Sequence, residues 1–300
     1  MFVIRNRKIF YLISAILILG SIAAVSIWGL KPGIDFSGGS LLQVSFVENK
    51  PSLEEAQTIL KNLDHADASV RTSSDGFIIR LPEISQSEKD VIVQNMSLDG
   101  TYSAVEKTFS NIGPVLGKEA IHKSWISILF VLLAIILFIA FAFRKVSMPI
   151  SSWVYGVVAI IALLHDVIVP AGFFALFGHL YGFEIDTLFV TAILVILGFS
   201  VHDTIVVFDR VRENLHKNEG SKKTFETIVG ESVSETFVRS INTSLTTLLA
   251  ILILYIFGPE AVKHFSLTLL IGITIGTYSS IFIGSPLLVT INNWKNKKLT

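Results

Sequence analysis

The sequence contains no cysteine, which removes disulfides, thiolate metal sites and a thiol nucleophile from consideration. Charge is scarce, at 16% of 300 residues, and it cancels, with 24 basic against 24 acidic side chains. A chain without net charge has no long-range field to draw in nucleic acid, and none is expected as a partner. There is no P-loop, and no Gly-x-Gly-x-x-Gly opens a helix, so a nucleotide site is not indicated and energy for any work must come from an ion gradient or a partner ATPase. Neither a Ser-His-Asp arrangement nor metal-ligand spacing emerges, and His65 stands apart from other ligand-type residues. The chain therefore reads as a non-enzyme with no cofactor and no metal.

Apolar residues are abundant. They make up 51% of the chain, with a mean hydropathy of +0.65, too much for a soluble protein of this length. A spanning helix needs roughly 20 mostly apolar residues, and six runs qualify, at about 9–29, 124–143, 150–177, 187–208, 238–257 and 262–290. The first follows Arg5, Arg7 and Lys8, exceeds a usual signal-peptide core, and ends at Trp28-Gly29-Leu30, a poor cleavage site; it reads as a retained anchor.

Lys and Arg accumulate in cytoplasmic loops. Here Arg5, Arg7 and Lys8, then Arg144 and Lys145, then Arg210, Arg212, Lys217, Lys222 and Lys223, then Lys295, Lys297 and Lys298 fall on one side, whereas 178–186 and 258–261 carry neither residue. Both termini are expected in the cytoplasm, with 31–123 facing outward. The charged cytoplasmic loop at about 209–236 is read first as positive-inside anchoring, with contact to anionic lipid headgroups or a partner as the alternative.

The segment 31–123 has the grammar of a globular domain. Leu42-Gln43-Val44-Ser45-Phe46 alternates as a half-buried strand, and Ser52 with Glu55 forms a capping-box signature for a helix running to about Leu63. Strands near 67–72 and 76–82, joined by 73–76, a Ser-initiated helix near 85–97 and a strand near 101–109 complete the order β-α-β-β-α-β. That order predicts a small ferredoxin-like α+β domain inserted in an α-helical polytopic membrane protein.

Ionisable residues within spans cost about 2.5–3.5 kcal/mol on insertion scales and are functional candidates by default. Asp166 falls in the third span, Asp203 in the cytoplasmic half of the fourth and Arg239 near the start of the fifth; His165 and His202 precede the two aspartates. The fourth and fifth spans run antiparallel, which puts Asp203 and Arg239 at similar depth and within reach of one another. Asn242, Thr243 and Thr246 extend from Arg239 as a polar stripe expected to face the bundle interior or a wet cavity. The pair either fixes packing or moves protons. Pro170 removes the N–H that would bond the carbonyl of Asp166, predicting a bend there. Gly272, Gly276, Ser280 and Gly284 recur every fourth residue and predict a face for close helix packing within the bundle.

Three segments carry a family resemblance: Gly33-Ile34-Asp35-Phe36-Ser37-Gly38-Gly39-Ser40, Ser200 to Asn214 with its run Asp203-Thr204-Ile205-Val206-Val207-Phe208-Asp209-Arg210, and Arg239 to Thr247. The chain resembles the SecF family of protein-export membrane subunits, and Ile112 to Gly117 and His165-Asp166-Val167 extend the resemblance over most of its length. The resemblance implies one six-span half of an RND-superfamily-like unit in the bacterial plasma (inner) membrane. Its implied partners are SecD, which completes the unit, the SecYEG channel, YajC and YidC, and an exported unfolded polypeptide. It also implies that the proton-motive force drives the outward domains to assist late translocation, with Asp203 and Arg239 in proton transport and a second aspartate supplied by SecD. Asp166, His202, Asn242, Thr243 and Thr246 are supporting polar candidates. His202 departs from the asparagine of the best-known relatives and bears on the proton affinity of Asp203. In the first motif, Gly33, Asp35, Phe36, Gly38 and Gly39 are read as structural, their glycines permitting a tight turn and a close approach between anchor and domain. Two rivals stay open: an RND-like exporter of lipids or small amphiphiles, disfavoured because full transporters carry two halves in one chain, and a non-energised translocon scaffold with a static Asp203–Arg239 pair.

Overall fold

The computed structural model describes residues 1–47, 49–73, 75–98, 100–143 and 150–297. Ser74, Arg144, Lys145, Lys298 and the Lys297 side chain, on which parts of the turn and orientation arguments rest, lie outside the described residues. In chain order the elements are α1 (Phe2–Arg5), α2 (Arg7–Trp28), α3 (Ile34–Ser37), β1 (Gly39–Phe46), α4 (Leu53–Asn62), β2 (Ser69–Thr72), β3 (Gly76–Leu81), α5 (Gln86–Met96), β4 (Ala104–Ile112), α6 (Pro114–Ala142), α7 (Ser152–Leu180), α8 (Thr187–Lys217), α9 (Phe225–Phe257), α10 (Glu260–Ser279), a π-helical stretch Ser280–Gly284 and α11 (Ser285–Lys297). They form two compact units, Pro32–Trp125 and the remainder.

The smaller unit is an antiparallel sheet in the order β2-β3-β1-β4 with α4 and α5 packed on it, the ferredoxin-like arrangement expected. Strand alternation sends Leu42, Val44 and Phe46 of β1 and Phe77, Ile79 and Leu81 of β3 into a core closed by Ala56, Leu60, Ile92 and Met96. Both helices open on capping boxes. Ser52 Oγ accepts from Glu55 N at 3.1 Å while Glu55 Oε2 accepts from Ser52 N at 2.7 Å, and Ser85 and Glu88 repeat the exchange. Each cap is worth about 1 kcal/mol. β4 starts later than expected, since Tyr102 N first donates back to Ser97 O at 3.0 Å. A register shift at Gln43/Val44 leaves Lys107 unmatched on β4 as a bulge. Lys89 is almost covered and is held by Asp90 and Glu106, and these carboxylates push its pKa above the ordinary 10.5.

The first motif folds as one helical turn, α3, followed by Gly38 at φ +74° and Gly39 at φ +112°. A Cβ on Gly38 would stand 2.8 Å from Pro114 Cα, one on Gly39 2.6 Å from Leu81 O, and one on Gly117 2.8 Å from Phe36 O. The close approach at these glycines is between 36–39, the end of β3 and 112–117, all inside this unit.

The larger unit contains six helices long and apolar enough to span a membrane. α7, α8 and the α10–α11 helix form its interior, whereas α2, α6 and α9 leave most of their apolar surface uncovered. α7 continues through Pro170. The small-residue ridge of α10 meets the row Ile196, Ser200, Thr204 and Phe208 of α8. A Cβ on Gly272 would collide with Ile196, one on Gly276 would lie 3.0 Å from Ser200 Cβ, Ser280 Oγ is 2.8 Å from Thr204 Oγ1, and Gly284 faces Phe208. Rows of i±4 spacing interdigitate, so the ridge packs within the bundle. The segment read as a loop over 209–236 is largely helical, with only 218–224 outside α8 and α9. Arg210 pairs with Glu235 and Glu213, and Asn214 Nδ2 donates to Glu235 at 2.8 Å and Ser232 at 3.0 Å, which holds the two helix extensions together.

Candidate functional site

α8 starts where Asp186 accepts from Phe189 N at 2.7 Å, and α9 where Thr224 Oγ1 accepts from Thr227 N at 3.2 Å. These caps fix where both helices begin. α9 buries Ser232, Thr236, Ser240 and Ser244, a row of small hydroxyl residues every fourth position. Ser232 meets Asn214 of α8, and Ser244 Oγ lies 2.6 Å from Thr277 Oγ1 of α10.

With that row inward, successive residues 100° apart on the helix turn Arg239 out. Asp203 is 6% exposed and faces the hydroxyls of Ser240 and Ser280, yet Asp203 Oδ2 and Ser240 Oγ are both buried without a hydrogen-bond partner. Among the described residues no ion pair joins Asp203 to Arg239. Arg239 is exposed and lines a polar cavity with Val206, Asp209, Arg210, Glu213, Glu235 and Thr236. Asn242, Thr243 and Thr246 are exposed as well, so the expected interior stripe lies on the outer face of α9, where Thr246 Oγ1 bonds back to Thr243 O at 2.9 Å. His202 is exposed on α8.

Asp166 is the most fully enclosed acid of the bundle. It is 0% exposed; Oδ1 is hydrogen-bonded to His165 Nδ1 at 2.9 Å, and Oδ2 accepts from Ser200 Oγ and from Ser279 Oγ, the latter at 2.7 Å. Neighbouring Ser280 is aimed at Thr204 and at the carbonyl of Ser200. The hydroxyls of Ser200, Ser240 and Ser279 escaped the sequence reading as site groups, and Ser280 was read only as part of the packing ridge. Their signal was available in the fourfold spacing of Ser200 with Thr204 and Ser240 with Ser244, but adjacent inward serines at 279 and 280 could not be anticipated without the π stretch that follows them.

A family model for the C-terminal region of the protein export membrane proteins SecD and SecF matches residues 93–294, and one for the SecD/SecF GG motif matches 29–49. The chain belongs to the SecD/SecF family. Curated SecD/SecF relatives named protein translocase subunit SecF include those of Thermobaculum terrenum, 43% identical over 98% of this chain and 94% of the relative, and of Anaerolinea thermophila, 36% identical over 98% and 96%. The crystal structure of SecDF from Thermus thermophilus, a translocon-associated membrane protein, superposes with a TM-score of 0.83 at 29% identity over 98% of this chain. This chain spans 38% of that one. A SecDF in a super-membrane-facing form gives 0.66 at 28% identity, over 98% of this chain and 39% of its own length. In SecD/SecF terms, the GG match contains Gly38 and Gly39, and the C-terminal match contains Asp166, Asp203 and Arg239.

Proposed function

We propose that this chain is the SecF half of a SecD–SecF assembly that uses the proton-motive force to assist export of unfolded polypeptide through a SecYEG channel, with YajC and YidC as further neighbours. Both termini lie in the cytoplasm and residues 31–123 face outward. Asp203 carries the proton, and Arg239 is presented to the SecD half. The observation that carries this reading is a buried Asp203 whose Oδ2 lacks any partner, on a helix beside an arginine turned away from it. Desolvation favours the neutral carboxyl, whereas an approaching guanidinium favours the carboxylate. A rearrangement at the SecD contact that brings Arg239 towards Asp203 releases a proton, and its withdrawal permits loading. One charge crossing 100 mV supplies about 2.3 kcal/mol, so several protons suffice to drive a domain movement.

The static-pair scaffold is less favoured, because the pair it requires is absent among the described residues. The test is proton flux in vesicles reconstituted with this chain and its SecD partner. Asp203→Asn is expected to abolish flux while leaving the complex assembled; unchanged flux and export would sink the proposal.

A further inference from the structure

The proton-transport reading leaves Asp166 and His165 unused. Asp166 is enclosed by His165, Ser200 and Ser279, drawn from α7, α8 and α10. Among the described residues no lysine or arginine is paired with it. The other titratable groups nearby are Tyr278 of α10, whose ring is 6.2 Å from the His165 imidazole, and Asp203 of α8. Tyr278 donates to Phe10 O of α2 at 2.9 Å, and Tyr11 of α2 is 2.9 Å from Thr290 Oγ1.

Two features go beyond a packing role. His165 is 1% exposed and its Nε2 has no hydrogen-bond partner, although a buried imidazole kept for structure ordinarily satisfies both nitrogens. Secondly, the π-helical stretch begins at Ser280 directly after Ser279, and such stretches recur at functional sites. Ser279 serves Asp166, and Ser280 turns to Thr204 and towards Asp203. On α8 the two acids are reached from Ser200 and position 203, about 4.5 Å of helix rise apart.

We propose that the His165–Asp166 pair is a second proton station, stacked one helical turn from Asp203 and loaded through His165 Nε2. Before loading, His165 Nδ1–H donates to a charged Asp166. Hydronium at Nε2 gives up a proton, so that an O–H bond breaks and an N–H bond forms. The Nδ1–H bond then breaks as an O–H bond forms on Asp166 Oδ1. Water, a neutral imidazole of the opposite tautomer and a neutral carboxylic acid remain, and unloading reverses each step. Consecutive Ser279 and Ser280 serve the two acids in turn, and because like charges on neighbouring carboxylates oppose one another, loading Asp166 eases ionisation of Asp203, which ties the stations into one path. The direction of work rests on the proton-transport reading; the station itself does not.

Infrared difference spectra of the complex with SecD, recorded as pH is stepped, read the station directly, and proton flux in the same vesicles reads its use. A protonated-carboxyl band that shifts in D2O should vanish in Asp166→Asn, persist in Asp203→Asn and move in His165→Gln. Flux in His165→Gln, a variant that keeps a hydrogen-bond donor but cannot relay, should fall about a hundredfold or more with assembly intact. No band in the native complex that His165→Gln moves, or native flux in assembled His165→Gln, overturns the proposal, even where Asp166→Asn does not fold. A band with these properties, together with unchanged flux in Asp203→Asn, supports the station and defeats the proposed role of Asp203.

Discussion

At the scale of single residues, the glycines of the 33–40 motif separate two physical demands. Gly39 combines φ +112° with a Cβ position 2.6 Å from Leu81 O, whereas Gly100 has φ +90° in open space. Gly100→Ala meets only the left-handed backbone penalty, about 1–2 kcal/mol. Gly39→Ala adds a collision with a backbone carbonyl that the β1–β3 ladder holds in place, and should destabilise the domain by roughly 1–3 kcal/mol more. Hydrogen exchange of β1 and β3 amides in the full chain measures the difference; equal loss of protection in the two variants would show that the contact with Leu81 is unimportant. The motif's glycines announced a tight place in the sequence, but not its address. Spacing alone cannot reveal that Gly38 meets Pro114, 76 positions away, because the approach exists only once β1 and β4 have paired.

At the scale of elements, the legible features were those set by local chemistry. The capping boxes at Ser52 and Ser85 fix helix starts through contacts three residues apart, and the six apolar runs follow from bilayer thickness. The direction in which α9 faces was illegible. It carries two polar rows, Ser232-Thr236-Ser240-Ser244 and Arg239-Asn242-Thr243-Thr246, and hydropathy weights the second more heavily although the first is inward. Size decides between them, since a small row admits the neighbouring helix and an arginine row does not. The same rule is testable on α10. Gly272→Val drives a side chain into fully buried Ile196 and should cost about 1–3 kcal/mol by overpacking, lowering the melting temperature in detergent. Gly284→Ala places its methyl at ordinary contact, 3.7 Å from Phe208 Cζ, and should leave that temperature unchanged or raised. The opposite order would mean that the α8–α10 ridge does not carry the stability of the bundle.

At the scale of the whole molecule, the bundle is asymmetric: α7, α8 and α10 are enclosed, but α9 shows Asn242, Thr243 and Thr246 on a face where a lone chain would offer them to lipid, with Arg239 beside them in the polar cavity of Asp209, Glu213 and Glu235. Polar side chains are unfavourable in hydrocarbon, so the face is suited to cover by a second chain. The match over only 38% of the solved SecDF is consistent with that, since most of that molecule lies outside the region this chain covers. The absence of cysteine makes the question direct, because one introduced thiol is the only one in the protein. A nitroxide attached at Thr246→Cys should collide readily with lipid-dissolved oxygen in this chain alone and become shielded when SecD is co-assembled. The same label at Leu249→Cys, exposed three residues beyond Thr246 on the continuation of that row, reports how far cover extends past the polar residues. Oxygen access at Thr246→Cys that SecD does not reduce would place the partner on α2 or α6 instead, and Arg239 would then have no route to Asp203 through movement at the interface.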